Sequence, residues 1–480
     1  MAILDHTTFE NENHGQNGVQ QETQVTVVMV PLPAQGHLNQ LLHLSRLISS
    51  YNIPVHYVGS GTHNRQAKVR VQGWDPLSIS NIHFHDLPMP SYEIPPPNPN
   101  GPTKFPSQLM PALHASIKLR EPICELLREL SGTSTRLVVV HDSLMSYVIQ
   151  DVSSISNAES YTFHSISAFT IHTVVWERQG KPTLSKPQLI ELLENLPSYN
   201  SCFPQELEDF SQLQRDFKPM NSGNLYNSCR AMEGPFLDLL AKAKHAEKHW
   251  AVGPFNPVVI INDQKSSKKR HYCLDWLDKQ APNSVIFVSF GSTTSVSDEE
   301  AKEIANGLEK SGQKFIWVLR DADKGDVFQG EVRRAQLPEG FEERIEGRGI
   351  IVRDWAPQLE ILGHSSTGGF MSHCGWNSCM ESISMGVPIA AWPMHTDQPR
   401  NAVLIEKVLK IGLLVRDWSR RDELVTSIVV ENAITRLMDS AEGEDMRKRA
   451  KELSKAVKGS VMEGGVSRLE MDSFVDHIRR

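Results

Sequence analysis

Short apolar runs, each followed by a turn and then by a helical pattern, recur along this chain and constrain its fold more than any other feature. Runs of this kind are VTVVMVP at 25–31, VHYVGS at 55–60, LVVVHDS at 137–143 and SVIFVSFGS at 284–292. Continuous β-branched runs of this length are typical of strands that are buried on both faces of a parallel sheet. Because the pattern restarts in the second half, we predict an α/β protein with two doubly wound domains.

The composition along the chain predicts where these domains begin and end. Residues 1–23 are polar, without a basic or apolar segment, and are predicted to be a disordered tail. A charged stretch at 257–270 is predicted to link an N-terminal domain at 24–256 to a C-terminal domain at 271–460. Residues 461–480 are predicted to form a helix that packs back on the N-terminal domain. Its apolar positions are Leu469, Met471, Phe474, Val475 and Ile478.

The overall composition disfavours several classes of partner. The net charge is −8 and no long basic block is present, which argues against nucleic acid and anionic membranes. No run of about 18 apolar residues occurs, so no membrane-spanning helix is expected. The six cysteines are scattered, without C-x-x-C or metal-ligand spacing. We therefore expect a cytoplasmic monomer with reduced cysteines and no bound metal.

Residues 367–386 are predicted to form a strand, a tight turn and a helix, with Gly386 ending the helix. His373, Asn377 and Ser378 would then crowd the N-terminus of that helix. Free backbone N–H groups and a partial charge of about +0.5 make such a terminus suitable for phosphate. The imidazole, amide and hydroxyl groups add side-chain donors, so this turn is predicted to bind a phosphorylated ligand.

The flanking residues supply groups for the other parts of a nucleotide sugar. Glu381 lies one helical turn further on, where its carboxylate suits two ribose hydroxyls. Trp355 offers a flat face on which a base can stack. Asp397 and Gln398 follow another strand-like run and are suited to the hydroxyls of a sugar. The segment 355–398 is therefore predicted to bind a nucleotide sugar.

The same segment closely resembles the forty-four-position signature box of plant family-1 UDP-glycosyltransferases, and the resemblance extends from about Gln24 to Arg480. It implies a GT-B fold, in which two Rossmann-like domains face a cleft, and a UDP-sugar donor without a metal cofactor. Roles for the base, ribose, phosphate and sugar contacts follow from the box. By that resemblance, Trp355, Ala356 and Gln358 bind uracil, Glu381 the ribose, His373, Asn377 and Ser378 the phosphates, and Trp376, Asp397 and Gln398 the sugar.

Polar residues near the ends of two predicted strands provide candidates for catalysis. His37 follows the first strand in the predicted turn, and Asp142 ends a neighbouring one, so both side chains are expected at the ligand-binding edge of the sheet. A histidine there can act as a general base, and a carboxylate on its other nitrogen would fix the tautomer. A lone histidine after a strand is more often structural, but QGH and VVVHD resemble the catalytic His–Asp pair of this family. Ser292, in SFGS, resembles a further phosphate ligand, and a plain turn is its alternative interpretation.

Other segments are similar to the zeatin O-glucosyltransferase subgroup of this family, namely HLNQLLHLSRL, LREP, HDSLM, FIWVLRDADKGD and EGGVSRLEM. The resemblance predicts inverting transfer of glucose from UDP-glucose to a hydroxyl of a small apolar acceptor, a zeatin-type cytokinin. A flavonoid or terpenoid acceptor and UDP-xylose as donor remain alternatives. A Rossmann-type dehydrogenase is disfavoured because no G-x-G-x-x-G with a downstream acidic residue occurs. A non-catalytic binding protein is disfavoured by the complete box and the His–Asp pair.

Several residues have both structural and functional interpretations. The D-x-D at 321–323 is predicted to be a solvated loop rather than a metal site. Trp392 is predicted to be a core residue, whereas a core role is disfavoured for Trp355 and Trp376. Five apolar residues are equally interpretable as acceptor pocket or as core. They are Phe105, Met110, Met145, Phe169 and Trp176.

Overall fold

The computed structural model describes most of the chain downstream of the N-terminal segment. The described residues are 25–182, 187–217, 221–243, 247–259, 270–328 and 333–480. The predicted disordered tail at 1–23 and most of the predicted linker at 257–270 lie outside the described residues.

The first half forms a sheet of seven parallel strands. Its strands are β1 Val25–Val30, β2 Val55–Ser60, β3 Ile82–Leu87, β4 Arg136–Asp142, β5 Ala158–His164, β6 Asn221–Tyr226 and β7 Lys248–Ala251. Their spatial order is β3-β2-β1-β4-β5-β6-β7. The order reverses between β1 and β4, and ligands of such sheets bind at this reversal, beyond the carboxyl ends of the strands.

The second half forms a separate sheet of six parallel strands. Its strands are β8 Val285–Ser289, β9 Lys314–Val318, β10 Gly349–Val352, β11 Thr367–Ser372, β12 Ile389–Ala391 and β13 Gly412–Leu414. The order β10-β9-β8-β11-β12-β13 repeats the arrangement of the first sheet, with its reversal between β8 and β11. The prediction of two doubly wound α/β units is confirmed.

Helices cover both sheets. Within the described residues they are α1 Gln35–Ser49, α2 Gly61–Arg70, α3 Met110–Ser116, α4 Arg120–Ser131, α5 Ala168–Arg178, α6 Pro187–Glu194, α7 Tyr199–Cys202, α8 Gln205–Asp216, α9 Arg230–Ala243, α10 Tyr272–Leu277, α11 Asp298–Lys310, α12 Phe341–Arg344, α13 Gln358–Gly363, α14 Trp376–Met385, α15 Gln398–Val403, α16 Ser427–Asp439, α17 Ala441–Ser460 and α18 Val466–Ile478. No helix in these ranges is long and apolar enough to cross a membrane.

Local sequence explains several of the helix ends. Ser297 and Glu300 form a capping box that begins α11, each satisfying a free N–H of the other's backbone. Ser167 begins α5 by accepting a hydrogen bond from the backbone N–H of Thr170. Gly386 ends α14 with a φ of 74°, a left-handed conformation that favours glycine.

An apolar cluster joins the two halves. It packs α5 and α9 of the first half against α14, α15 and α17 of the second, with Phe169, Phe236, Trp376 and Ile383 among its buried members. The last helix, α18, also returns to the first half, where Phe474 packs against Tyr161 and Trp250 with ring centroids 5.3 and 5.2 Å apart. Both contacts join the two halves of the chain.

Three local predictions differ from the structure. The helix after β1 begins at Gln35, so His37 lies in its first turn and not in the preceding loop. The turn HCGWN is predicted to extend over residues 373–377, but α14 already begins at Trp376. In α18, Leu469 is 56% exposed, whereas the other four apolar positions are buried, because position 469 lies on the outer side of the helix.

Candidate active site

A cleft of about 520 Å³ lies between the carboxyl edges of the two sheets and is lined by residues of both halves. One wall carries His37 and the beginning of α1, and the other carries the turn before α14. The cleft brings together all the predicted donor-site residues and His37, while Asp142 lies behind His37. The donor-site residues that line it are Ser292, Trp355, Ala356, Gln358, His373, Trp376, Asn377, Ser378, Glu381, Asp397 and Gln398.

His37 and Asp142 are in direct contact. Nδ1 of His37 lies 2.6 Å from Oδ2 of Asp142, whose side chain is fully buried, while the imidazole is 23% exposed. The other carboxylate oxygen accepts a hydrogen bond of 2.9 Å from the backbone N–H of Leu144, which fixes the orientation of Asp142. With its Nδ1–H held by the carboxylate, His37 presents an unprotonated Nε2 to a ligand in the cleft.

The surroundings of His37 raise its pKa. Burial lowers the pKa of the imidazole, but the charge and hydrogen bond of Asp142, together with the charge of Asp397, raise it above 6.5. A raised pKa makes the neutral imidazole a stronger base, and keeps it close to the working range of a general base.

The beginning of α14 holds His373 in a tight site. A Cβ placed on Gly291 or on Gly375 would lie less than 3.0 Å from Nε2 of His373, so the ring fits only between two glycines. Burial lowers the pKa of His373 to about 4. Its Nδ1 is buried and has no hydrogen-bond partner among the described residues. The ring is therefore neutral at pH 7 and adds an N–H donor or acceptor, not a charge, to the helix terminus.

Asn377 connects the two walls of the cleft. Its Nδ2 donates a hydrogen bond of 2.8 Å to the carbonyl oxygen of Gly36, which is the residue before His37. The second N–H of the amide remains available to a ligand at the beginning of α14. Asn377, which is predicted to donate a hydrogen bond to a phosphate, therefore also fixes the backbone of Gly36 next to the candidate base His37.

Gln358 forms hydrogen bonds with two side chains of α14. Its Nε2 donates to Oγ of Ser378 at 2.9 Å and to Oε2 of Glu381 at 2.7 Å. Burial raises the pKa of Glu381 to about 7, although the hydrogen bond from Gln358 lowers it. The carboxyl group is thus half ionised near neutral pH, and it retains acceptor capacity for hydroxyl groups.

Trp355 lies between the halves, with guanidinium groups close to its ring. Cζ of Arg70 lies 4.6 Å and Cζ of Arg320 lies 5.6 Å from the ring centroid. Both arginines bind the carboxylate of Asp323, at 2.5 Å each. The prediction of a solvated D-x-D loop is wrong, because this ion pair between the halves buries Asp323, which is 5% exposed. Among the described residues, no group of three or more His, Cys, Asp or Glu side chains has the arrangement of a metal site.

The sugar end of the box is held by internal hydrogen bonds. Oε1 of Gln398 accepts from the backbone N–H groups of Met394 and His395 at 2.9 and 3.1 Å, which fixes the loop before α15. Asp397 is 9% exposed, and its Oδ2 accepts from Nδ2 of Asn401 at 2.6 Å. Burial raises the pKa of Asp397, whereas the bonds from Asn401 and Thr396 lower it.

The tryptophans of the box differ in their surroundings. Trp392 is 2% exposed and packs edge-on against Phe290, which confirms its predicted core position. The indole of Trp376 is also buried, at 3% exposure, and its Nε1–H donates to the carbonyl oxygen of Asn227 at 2.8 Å. The prediction that Trp376 is not a core residue is therefore wrong for its indole ring. The hydrogen-bond partner of the ring, Asn227, lies in the other half of the chain, so the local sequence does not reveal this contact.

The five proposed acceptor residues divide between the cleft and the core. Phe105 and Met110 line the cleft, and Met110 also belongs to the core cluster in which Met145 is buried. Phe169 and Trp176 lie on the side of α5 that packs on α9. The opposite side of α5 lines the cleft instead, through Ile171, Val174 and Val175.

A group of polar residues at the end of α5 escaped the sequence analysis. Arg178, Tyr199 and Arg215 line the cleft, and Nη2 of Arg178 donates to the hydroxyl of Tyr199 at 2.7 Å. Both arginines bind Glu208. At about 1.5 Å per residue, Arg178 lies about 15 Å along α5 from Ala168, the first residue of the helix. These residues belong to three different helices, α5, α7 and α8, so no single helical pattern marks them.

Two parallel-sheet domains with a cleft between their carboxyl edges define the GT-B class of glycosyltransferases. Two sequence-family models match the chain, "Glycosyltransferase, N-terminal domain" over residues 23–257 and "UDP-glucoronosyl and UDP-glucosyl transferase" over residues 241–455. A UGT transferase from Siraitia grosvenorii, solved in complex with UDP, is 28% identical, with a TM-score of 0.72 over 95% of this chain and 100% of that one.

Full-length relatives agree with these matches. Zeatin O-glucosyltransferase of Phaseolus lunatus is 55% identical over 460 residues, covering 96% of this chain and 98% of the relative. Zeatin O-xylosyltransferase of Phaseolus vulgaris is 52% identical, covering 96% and 99%. The chain belongs to the plant UDP-glycosyltransferase family, and it is a glycosyltransferase with the GT-B fold. The predicted family and fold class are both confirmed.

Proposed function

We propose that this enzyme transfers glucose from UDP-glucose to a hydroxyl of a zeatin-type cytokinin, with inversion and without a metal ion, so that the product is a β-glucoside. The observation that carries the proposal is the 2.6 Å contact of His37 with Asp142, on the wall of the cleft that faces α14. The similarity to zeatin O-glucosyltransferases from bean and maize, 55% and 42% identical, supports the acceptor class.

In this mechanism, Nε2 of His37 removes the proton of the acceptor hydroxyl as its oxygen attacks the anomeric carbon of the sugar. Asp142 stabilises the imidazolium that forms. The negative charge that develops on UDP is stabilised by the N-terminus of α14 and by donors of His373, Asn377 and Ser378, with Ser292 approaching from the loop after β8. These hydrogen-bond donors are neutral. Because the N-terminus of α14 is largely buried, they stabilise the negative charge on UDP more strongly than they would in water.

The remaining donor contacts follow the order of the box. Trp355 stacks on uracil, while Ala356 and Gln358 bind its edge. Glu381 binds the ribose hydroxyls, and Asp397 and Gln398 bind the sugar. Trp376 offers its backbone and not its indole N–H, which is already bonded to the first half.

The acceptor side of the cleft has the character that a cytokinin requires. Apolar side chains of α5 and of the loop around Phe105 suit an apolar chain that leads a hydroxyl towards His37. The polar group formed by Arg178, Tyr199 and Arg215 suits the nitrogen atoms of a purine ring. An apolar passage with a polar end is a better match for this acceptor than for a uniformly apolar terpenoid.

UDP-xylose is the second candidate donor. The specific observation in its favour is the similarity to zeatin O-xylosyltransferase, which is 52% identical and thus nearly as similar as the glucosyltransferase from bean. Parallel assays with both UDP-sugars decide between them.

The test compares wild-type enzyme with His37→Ala, and with His83→Ala as a control at an exposed histidine. UDP-glucose and zeatin are supplied, and the product is identified by mass spectrometry and NMR. We expect a zeatin O-β-glucoside, turnover lowered by about 10²–10⁴ in His37→Ala and unchanged in His83→Ala. Near-wild-type turnover of folded His37→Ala would remove the general base. Transfer only to flavonoids or terpenoids would remove the acceptor class, and activity abolished by EDTA and restored by Mn²⁺ would remove metal independence.

A further inference from the structure

A buried amide lies directly behind the sugar end of the cleft. Asn401, on α15, is fully buried and does not line the cleft. Its Nδ2 donates to Oδ2 of Asp397 at 2.6 Å and to the carbonyl oxygen of Cys374 at 2.9 Å. Its Oδ1 lies 2.8 Å from Oγ of Ser167 and 3.1 Å from Oγ1 of Thr170. Both N–H groups and both lone pairs of the amide are therefore used.

These four contacts determine the orientation of the side chain. The nitrogen faces the carbonyl of Cys374 and the carboxylate of Asp397, which can only accept, so a flipped amide would lose both of these bonds. A buried polar network in which every member is satisfied is rigid, and replacing one member is costly. Asn401 therefore holds Asp397 and the turn at Cys374 in one fixed arrangement.

The network also connects the two domains. Ser167 and Thr170 belong to the first turn of α5, whereas Asp397 and Cys374 belong to the donor side. The opposite side of α5 lines the acceptor part of the cleft, through Ile171 among others. One helix thus contacts the acceptor and, through Asn401, determines where the carboxylate of Asp397 lies.

We propose that Asn401 is a positioning residue for sugar transfer, which directs the carboxylate of Asp397 towards the donor sugar, and that Ser167 and Thr170 hold Asn401 in register with the acceptor helix. The inference rests on the proposed function in taking Asp397 as a sugar contact. Uracil and ribose contact other residues, and the diphosphate is connected to Asn401 only through the carbonyl of Cys374, so a disturbed Asn401 weakens binding of UDP-glucose more than binding of UDP.

Asn401→Asp is the nearly isosteric test, because it exchanges only the donating nitrogen for an acceptor. The hydroxyls of Ser167 and Thr170 keep their partner, the carbonyl of Cys374 loses its donor, and the two carboxyl groups at positions 397 and 401 compete for one proton, which displaces Asp397. Dissociation constants of UDP and UDP-glucose are measured without acceptor, and kcat/KM is measured with it. We expect UDP-glucose binding and kcat/KM to weaken about tenfold or more, and UDP binding to change less than about threefold.

Two further variants keep the test decisive if Asn401→Asp does not fold. Thr170→Val removes one of the two hydroxyls at Oδ1, and a smaller loss of the same kind, about threefold, is expected. Thr173→Val is the matched control, because its hydroxyl binds Arg400 on the same pair of helices and contacts neither Asn401 nor Asp397. Thr173→Val should leave the ratio between the dissociation constants of UDP and UDP-glucose unchanged.

Equal weakening of UDP and UDP-glucose would show a purely structural role for Asn401 and overturn the proposal, and so would unchanged affinity for both. Since the binding measurements contain no acceptor, a wrong acceptor class or an inactive His37 variant does not affect them. Repeating them with UDP-xylose makes them independent of the choice between the two donors. Failure of this inference and failure of the proposed function are therefore distinguishable.

Discussion

Asp142→Asn changes the charge next to the candidate base with almost no change in shape. Oδ1 of Asp142 accepts from the backbone N–H of Leu144, and an asparagine oxygen can keep this bond. The amide nitrogen then faces Nδ1 of His37, which must give up its proton to Nε2 to accept a hydrogen bond. The variant therefore loses the attraction between the carboxylate and a protonated His37. It also loses the tautomer in which Nδ1 carries the proton and Nε2 is free to act as a base.

The expected size of the effect follows from the geometry. Two unit charges about 4 Å apart attract by about 4 kcal/mol at an effective dielectric constant of about 20. Partial exposure of His37 screens this attraction, and the part that remains holds the pKa of the imidazole above its usual value. Burial continues to lower the pKa of His37 in the variant. The pKa should therefore fall from above 6.5 to below it.

The assay is the pH dependence of kcat/KM between about pH 5 and 9, which reports the pKa of the base in the free enzyme. Neutral His37 is the active form, so activity rises with pH through its pKa. In Asp142→Asn the acidic limb should move to lower pH, and the plateau should fall by about 10²–10⁴. An unmoved acidic limb, with a plateau within about threefold of wild type, would refute the pairing of His37 with Asp142 as the catalytic unit.

Three further predictions concern packing, the phosphate site and pH. Phe474→Ala should lower the free energy of unfolding by about 3–5 kcal/mol in denaturant titrations, and Leu469→Ala, on the outer side of the same helix, by no more than about 0.5; equal effects would contradict the packing of α18. Gly375→Ala should displace His373 and weaken UDP binding about tenfold or more in calorimetry, whereas Gly459→Ala, with open space at its Cβ, should not. Because the folded-state pKa of Glu381, about 7, exceeds the usual 4.5, this group costs stability increasingly from pH 4.5 to 7. Glu381→Gln should therefore raise the unfolding temperature without UDP at pH 8 but not at pH 4.5, and a difference independent of pH would contradict the raised pKa.

Local sequence was sufficient for much of the fold and for the donor wall. The β-branched runs at 25–31 and 284–292 form buried central strands, because a strand covered on both faces must be apolar at every position. The donor residues are close together in sequence, so one strand, turn and helix already place them around a helix terminus. The edge on which His37 and Asp142 lie was predictable because carboxyl ends of adjacent parallel strands meet there, whereas their pairing was predicted from the resemblance of QGH and VVVHD to the family's His–Asp pair.

The parts that were missed depend on partners from the other domain. Asp323 looks solvated in its own loop, yet Arg70 buries it across the cleft. Trp376 looks like a ligand contact, yet its indole N–H binds Asn227. Asn401 lies outside the signature box, and two of its four hydrogen-bond partners, Ser167 and Thr170, belong to the other half. Such contacts join residues more than 140 positions apart, and no periodicity of either segment records them.

A structure of the enzyme with UDP and zeatin bound together tests the central claim most directly. We predict the diphosphate at the N-terminus of α14, beside His373 and Ser378, and the acceptor hydroxyl within about 3 Å of Nε2 of His37. A diphosphate bound elsewhere in the cleft, or an acceptor hydroxyl directed away from His37, would contradict it.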